Sequence, residues 1–147
     1  MNKFMKVAYK EAIKACIEDE VPVGAVIVKD GKIIARAHNR KEKKNDCTSH
    51  AEIECIRKAS KKIGDWYLKD CELYVTLEPC VMCCGAIINA RIEKVYFGAR
   101  DLKAGSLGGL FNLMDQRGFN HYFEHEYLEN NECSQILKDY FKKKRSK

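Results

Sequence analysis

A chain of 147 residues, 46% of them apolar, is long enough to bury one core and too short to build two, so residues 1–147 read as a single domain. No apolar run approaches the ~18 residues of a membrane span, and residues 1–14 are amphipathic rather than a charged stub ahead of an apolar signal core. A soluble, cytoplasmic protein is expected. The formal charge is +6, most of it from Lys142, Lys143, Lys144, Arg145 and Lys147 in a basic tail over 142–147, and a second basic run spans 40–44. Either run alone reads as a solvated, solubilising segment; polyanion binding requires the two to meet at one site.

Taken in chain order, Phe4, Met5, Val7, Ala8, Ala12, Ala15 and Cys16 recur at three- and four-residue spacing and predict an amphipathic helix over 3–18, stopped by Pro22. Residues 23–28 and 33–37 are apolar and rich in β-branched side chains, and they flank Asp30-Gly31, a dipeptide that tolerates positive φ at both positions. A β-hairpin follows from that pattern. A polar stretch over 39–49 leads to His50 and a helix ending near Gly64. Residues 73–77 predict a strand, Pro79 stands where a first helical residue is expected, and 81–89 continue as helix before a strand at 94–97.

The connection over 98–120 carries Gly98, Gly105, Gly108, Gly109 and Gly118, with one or two helical turns within 107–114. Residues 121–127 alternate as a strand, and 131–144 form a closing helix. Two strand-then-helix units after a hairpin predict an α/β fold, a three-layer α/β/α sandwich around a mixed sheet of about five strands.

Eight cysteines is a high count, yet Cys16, Cys55, Cys71, Cys84 and Cys133 lie in apolar periodic segments, where thiols serve as small hydrophobes rather than as a disulfide framework. Cys80 and Cys83 differ. Three residues apart in a first helical turn, their sulfurs project to one side, and the helix-start amides favour the thiolate a metal requires. His50 adds a nitrogen ligand from another helix and leaves a fourth tetrahedral position unfilled, as in catalytic rather than structural zinc sites. Glu52, two residues on, is placed to take and return a proton beside the metal.

A lone Cys-x-x-Cys also serves as a redox pair or as buried thiols. His50-Ala51-Glu52 followed by Pro79-Cys80-Val81-Met82-Cys83, each at a helix start, matches the pattern of zinc nucleobase deaminases. Cys84 is expected in the core, about 100° around the helix. Glu54 is expected to face away from the metal as solvated surface, and His121 and His125 to share one strand face without ligand spacing.

Beyond those motifs, VPVGAVIV, HNR, TSHAEI, LYVTLEPCVMCCGAII and VYFGARDLKAG closely resemble bacterial tRNA-specific adenosine deaminases, nearly throughout the chain. The resemblance implies a cytidine-deaminase-like fold, a homodimer, one zinc ion (Zn2+) per subunit, and conversion of adenosine to inosine at the wobble position of an anticodon, typically of an arginine tRNA. It implies that Asn39 contacts the target nucleoside, that Asp101 and Lys103 contact flanking RNA, and that Tyr140 and Phe141 pack against an anticodon base. Two residues depart from the family pattern: Cys47 stands where proline is usual and Gly109 where serine is common, and both bear on loop stiffness. The partner is then a tRNA anticodon stem-loop, with no DNA and no membrane. The alternative is a deaminase of a free base or nucleotide, since guanine and cytosine deaminases resemble the same two motifs, though the basic tail and GARDLKAG weigh against it. A zinc-stabilised RNA-binding subunit without activity has no need of Glu52.

Overall fold

The computed structural model describes residues 1–146; Lys147, the last charge of the basic tail, lies outside them. Helix α1 (Lys3–Ile17) opens on Asn2, whose Oδ1 accepts from the amides of Phe4 and Met5. It stops before Pro22 is reached. Asp19 turns into the left-handed region at φ 60°, and its amide bonds back to the Cys16 carbonyl. Strands β1 (Gly24–Lys29) and β2 (Lys32–His38) form the expected hairpin, with φ 52° at Asp30 and 75° at Gly31. A single turn, α2 (Lys41–Lys44), leads to α3 (Ala51–Ile63), which ends on Gly64 at φ 80°.

Strand β3 (Cys71–Val75), helix α4 (Val81–Ala90) and β4 (Lys94–Phe97) make one strand–helix–strand unit, and β5 (Glu124–Tyr127) and α5 (Asn131–Arg145) close the chain. Among the described residues five strands form one mixed sheet in the order β2-β1-β3-β4-β5. β1 is antiparallel to both neighbours, whereas β3, β4 and β5 run parallel. α1 packs on β1, β2 and β3 and against α5, while α3 packs on β1 and β2 and against α4. The three-layer sandwich follows from this pairing of helices. Gly24 admits the α1 backbone: a Cβ there would fall 2.0 Å from the Ala8 carbonyl oxygen.

Several local expectations change. Pro79 precedes the helix, and Cys80 is the N-cap of α4. The last strand begins only at Glu124, so His121 lies before it and is held by a bond between its Nε2 and the Ile92 carbonyl. The segment expected to coil within 107–114 instead makes an isolated bridge between Leu107 and Asn112 and a 3-10 turn at Leu113–Asp115. All eight cysteines are free; Cys55, Cys71, Cys84 and Cys133 are buried as expected, whereas Cys16 is half-exposed.

Candidate active site

His50 caps α3 and Cys80 caps α4, so the two helices aim their positive ends at one point. The loop before His50 is shaped by Asp46, whose Oδ1 accepts from the Thr48 amide at 2.8 Å and the Thr48 hydroxyl at 2.7 Å. Cys47, in the place where proline was expected, is exposed and leaves that turn intact. Nδ1 of His50 lies 3.7 Å from Cys80 Sγ and 3.5 Å from Cys83 Sγ. The ligand atoms of these three residues all lie within 4.8 Å of one another, a group able to hold a metal ion.

Electrostatics divides the group unequally: the bond between the two sulfurs lowers the Cys80 thiol and raises that of Cys83. Donation from Cys83 holds the Cys80 thiol at about 4 against the opposing effect of burial, with His50 adding to the lowering. The bond to Cys80 in turn raises the His50 imidazole. Glu52 is buried in the first turn of α3, and burial pushes its carboxyl up to about 7, where it can both hold and release a proton at neutral pH.

These groups open onto a cavity of about 210 Å³ lined by His50, Glu52 and Cys80 together with Asn39, Leu77 and Asp101. The Asn39 side chain is fixed by backbone at both ends: Nδ2 donates to the Val21 carbonyl at 3.2 Å and Oδ1 accepts from the Lys41 amide at 3.1 Å. Each end retains one further hydrogen-bonding valence for a ligand. Asp101 reaches the cavity wall, but its Oδ1 is occupied by the amides of Lys103 and Ala104 at 3.0 and 3.1 Å. Lys103, Tyr140 and Phe141 stand outside the cavity.

Phe141, 43% exposed, lies between two grooves that flank it. One, about 770 Å³, is lined by Val21, Lys43, Tyr140 and Lys144 among others; the second, about 420 Å³, by Leu77, Asp101, Lys103 and Arg145 among others. Val21 belongs also to the cavity, as do Leu77 and Asp101. The two basic runs therefore meet beside one site, the condition that polyanion binding required. Acidic neighbours temper the field there: Lys144 pairs with Asp19 at 2.6 Å and Lys43 with Glu18 at 3.9 Å.

Glu54 was expected on the solvated surface and is instead buried, its carboxylate 2.6 Å from the Lys44 ammonium. It meets the 40–49 segment through that pair. Cys84 is wholly buried, as expected. Sequence reasoning passed over Glu78, a buried carboxylate lining the cavity two residues before Cys80. Its signal was an acidic residue at the end of an apolar strand. Glu20, also buried, was missed as the anchor of α2, where it accepts from the amides of Glu42 and Lys43 at 2.9 and 2.7 Å.

Two helix starts bring a histidine and two cysteines together as a group able to hold a metal ion, beside a buried carboxyl that lines one small cavity. The chain belongs to the MafB19-like deaminase family, whose profile matches residues 1–145. It is 48% identical over 143 residues, 97% of this chain and 95% of the other, to the tRNA-specific adenosine deaminase of Aquifex aeolicus. A solved structure from studies of A-to-I editing by tRNA:A34 deaminases at the wobble position of transfer RNA superposes with a TM-score of 0.88 at 43% identity, over 93% of this chain and 100% of that one. The guanine deaminase of Bacillus subtilis superposes with a TM-score of 0.66 at 35% identity, over 97% and 95%.

Proposed function

We propose that this chain is a zinc-dependent tRNA-specific adenosine deaminase, a hydrolase that converts adenosine to inosine at the wobble position of an anticodon, the arginine anticodon being its target. The observation that carries this is the convergence of His50, Cys80, Glu52 and Asn39 on one cavity, with Cys83 grouped behind His50 and Cys80 and with grooves holding both basic runs alongside. The likeness to deaminases acting on tRNA supports the substrate class.

The donor set fits zinc. With zinc–sulfur near 2.3 Å and zinc–nitrogen near 2.1 Å, tetrahedral ligands stand about 3.6 Å apart, sulfur to nitrogen. The distances from His50 Nδ1 to the two sulfurs, 3.7 and 3.5 Å, bracket that separation. When bound by His50, Cys80 and Cys83, zinc supplies Lewis acidity that brings the pKa of a water to about 7. Glu52 takes a proton from the attacking water and delivers it to adenine N1. It then carries a second proton to the amine departing from C6, so water and adenosine become inosine and ammonia. Asn39 orients the nucleoside with its two free valences, and the starts of α3 and α4 direct amide dipoles at the charge that develops.

Lys103 and Asp101 flank the reacting base in this reading, and Tyr140 and Phe141 offer rings to a neighbouring one. A homodimer belongs to the same reading, supported by the exposed apolar side chains of Val81, Leu110 and Phe111, as does a single deaminase domain over 1–147 working in the cytoplasm. Among the described residues no helix is long and apolar enough to cross a membrane.

Deamination of a free base is the competing assignment, favoured by the likeness to guanine deaminase. Incubation with an adenosine-34 stem-loop, free adenosine, guanine and cytosine, with inosine and ammonia measured, separates the two. Inosine from the stem-loop alone supports the tRNA assignment; ammonia from a free base and none from the stem-loop overturns it.

A further inference from the structure

We propose that Glu78 is a positioning residue for the deamination: its carboxylate anchors the loop over 100–109 that walls the substrate cavity, and ties it to the turn bearing Cys80. The proposal rests on the deaminase reading for its substrate, while the anchoring itself stands on geometry.

Four N–H groups converge on this one carboxylate. Oε1 accepts from the Asp101 amide at 3.1 Å and from Arg100 Nη1 at 3.4 Å. Oε2 accepts from the amides of Leu107 and Gly109, each at 2.8 Å. The partners span the loop, and the Glu78 side chain is fully enclosed. A buried carboxylate is costly unless its lone pairs are filled, and here both oxygens are doubly engaged, with the Arg100 guanidinium close by to balance the charge.

Arg100 extends the tie. It also donates to the Leu107 carbonyl at 3.1 Å, and its guanidinium lies over the rings of Phe97 and Tyr127, 5.1 and 4.8 Å from their centroids. Backbone bonds run alongside: the Glu78 amide donates to the Ala99 carbonyl at 2.8 Å, and the Ser106 amide to the Pro79 carbonyl at 2.9 Å.

The loop is cut to receive the carboxylate. A Cβ at Gly105 would lie 2.3 Å from Glu78 Cδ and 2.4 Å from the Asp101 carbonyl oxygen, so even one methyl group must displace the loop. Asp101 and Ala104, both in this segment, line the same cavity as His50 and Glu52. Moving them changes where a base can sit relative to Glu52. Glutamine cannot stand in, because its amide turns a donor toward N–H groups that need an acceptor.

The test uses the zinc-loaded enzyme and its Glu78→Gln variant, with hydrogen exchange at residues 100–109 and steady-state kinetics on whichever substrate of the panel the wild type turns over. Exchange of the amides of Asp101, Leu107 and Gly109 should rise by at least about tenfold while β1 and β3 keep their protection. kcat/KM should fall on the order of 100-fold at unchanged zinc content, as expected when reacting groups are displaced by about an ångström. An Ile92→Val variant controls for lost stability and should keep kcat/KM within about twofold, since it touches no part of the loop anchor.

If Glu78→Gln does not yield folded holoenzyme, Gly105→Ala takes its place with the same two readouts. Loop protection unchanged, or kcat/KM within twofold of wild type, overturns the proposal. A wild type inactive on the stem-loop but active on a free base overturns the tRNA reading alone, and the same measurements on that base still decide the role of Glu78.

Discussion

Replacing His38 by alanine should destabilise the protein by about 2 kcal/mol near pH 5.5 and by progressively less at higher pH, a magnitude that follows from the carboxylate His38 holds. Glu11 is 3% exposed, with His38 Nδ1 at 3.1 Å and Lys14 Nζ at 2.7 Å; His38 Nε2 meets Glu18 at 3.0 Å. Burial pushes the Glu11 carboxyl up, but the bonds from His38 and then Lys14 prevail and hold it at about 2 instead of 4.5. That difference is worth on the order of 3 kcal/mol at 1.36 kcal/mol per pKa unit, and the His38 bond is the strongest single effect lowering it. A depressed carboxyl stabilises fully above its unfolded value and loses that contribution as pH falls through the folded one. Its partner has the opposite sign: the bond to Glu11, opposed by burial and aided by Glu18, raises the His38 imidazole above 6.5. The His38 contribution is complete below 6.5 and is lost as pH rises through the folded value.

The cluster therefore stabilises most between about pH 4.5 and 6.5, the unfolded values of its two partners. Urea unfolding of wild type and His38→Ala, at matched zinc and protomer concentration, should give a stability gap at pH 5.5 that shrinks markedly by pH 9. A gap of the same size at both pH values would mean that His38 acts only by packing, and would refute the ion-pair argument.

Cys80→Ala and Cys83→Ala should each lose most of the bound metal and the activity with it, as read by elemental analysis. Cys84→Ala should keep the metal at a stability cost of about 1 kcal/mol, because its buried sulfur faces the Pro79 carbonyl rather than His50. Removing residues 142–147 should lower stem-loop affinity and flatten its salt dependence, by roughly 0.7 in log–log slope for each phosphate that the tail neutralises. Phe141→Ala should weaken binding by ~1–3 kcal/mol with a nearly unchanged slope, since a stacked ring releases few ions; titrations at several salt concentrations distinguish the two.

The features legible in the sequence are those that local chemistry dictates. Asp30-Gly31 declared its turn because few other pairs accept positive φ twice in succession, and His50 and Cys80 declared themselves by standing at the starts of periodic segments. The strand–helix units implied the sandwich, but the central place of β3, paired with β1 on one side, depends on a pairing between segments far apart in the chain. Glu54 shows the same limit: its burial comes with an ion pair to Lys44, which arrives from another segment. Glu78 was hidden for that reason too, because its four donors come from residues 100–109 and only the folded loop brings them together. The stop of α1 was misassigned to Pro22 because Asp19 at positive φ leaves a weaker mark in sequence than proline does.

The central claim is that Glu52 moves the protons in an adenosine deamination supported by a metal that it does not itself bind. Its most direct test is the conversion of adenosine 34 to inosine in an anticodon stem-loop by wild type and Glu52→Gln, with zinc measured in both preparations. The account predicts about one zinc per chain in each protein, inosine formed by the wild type, and a rate lowered by at least about 100-fold in the variant. Wild-type turnover in a protein free of zinc, or a Glu52→Gln enzyme as fast as wild type, would contradict it.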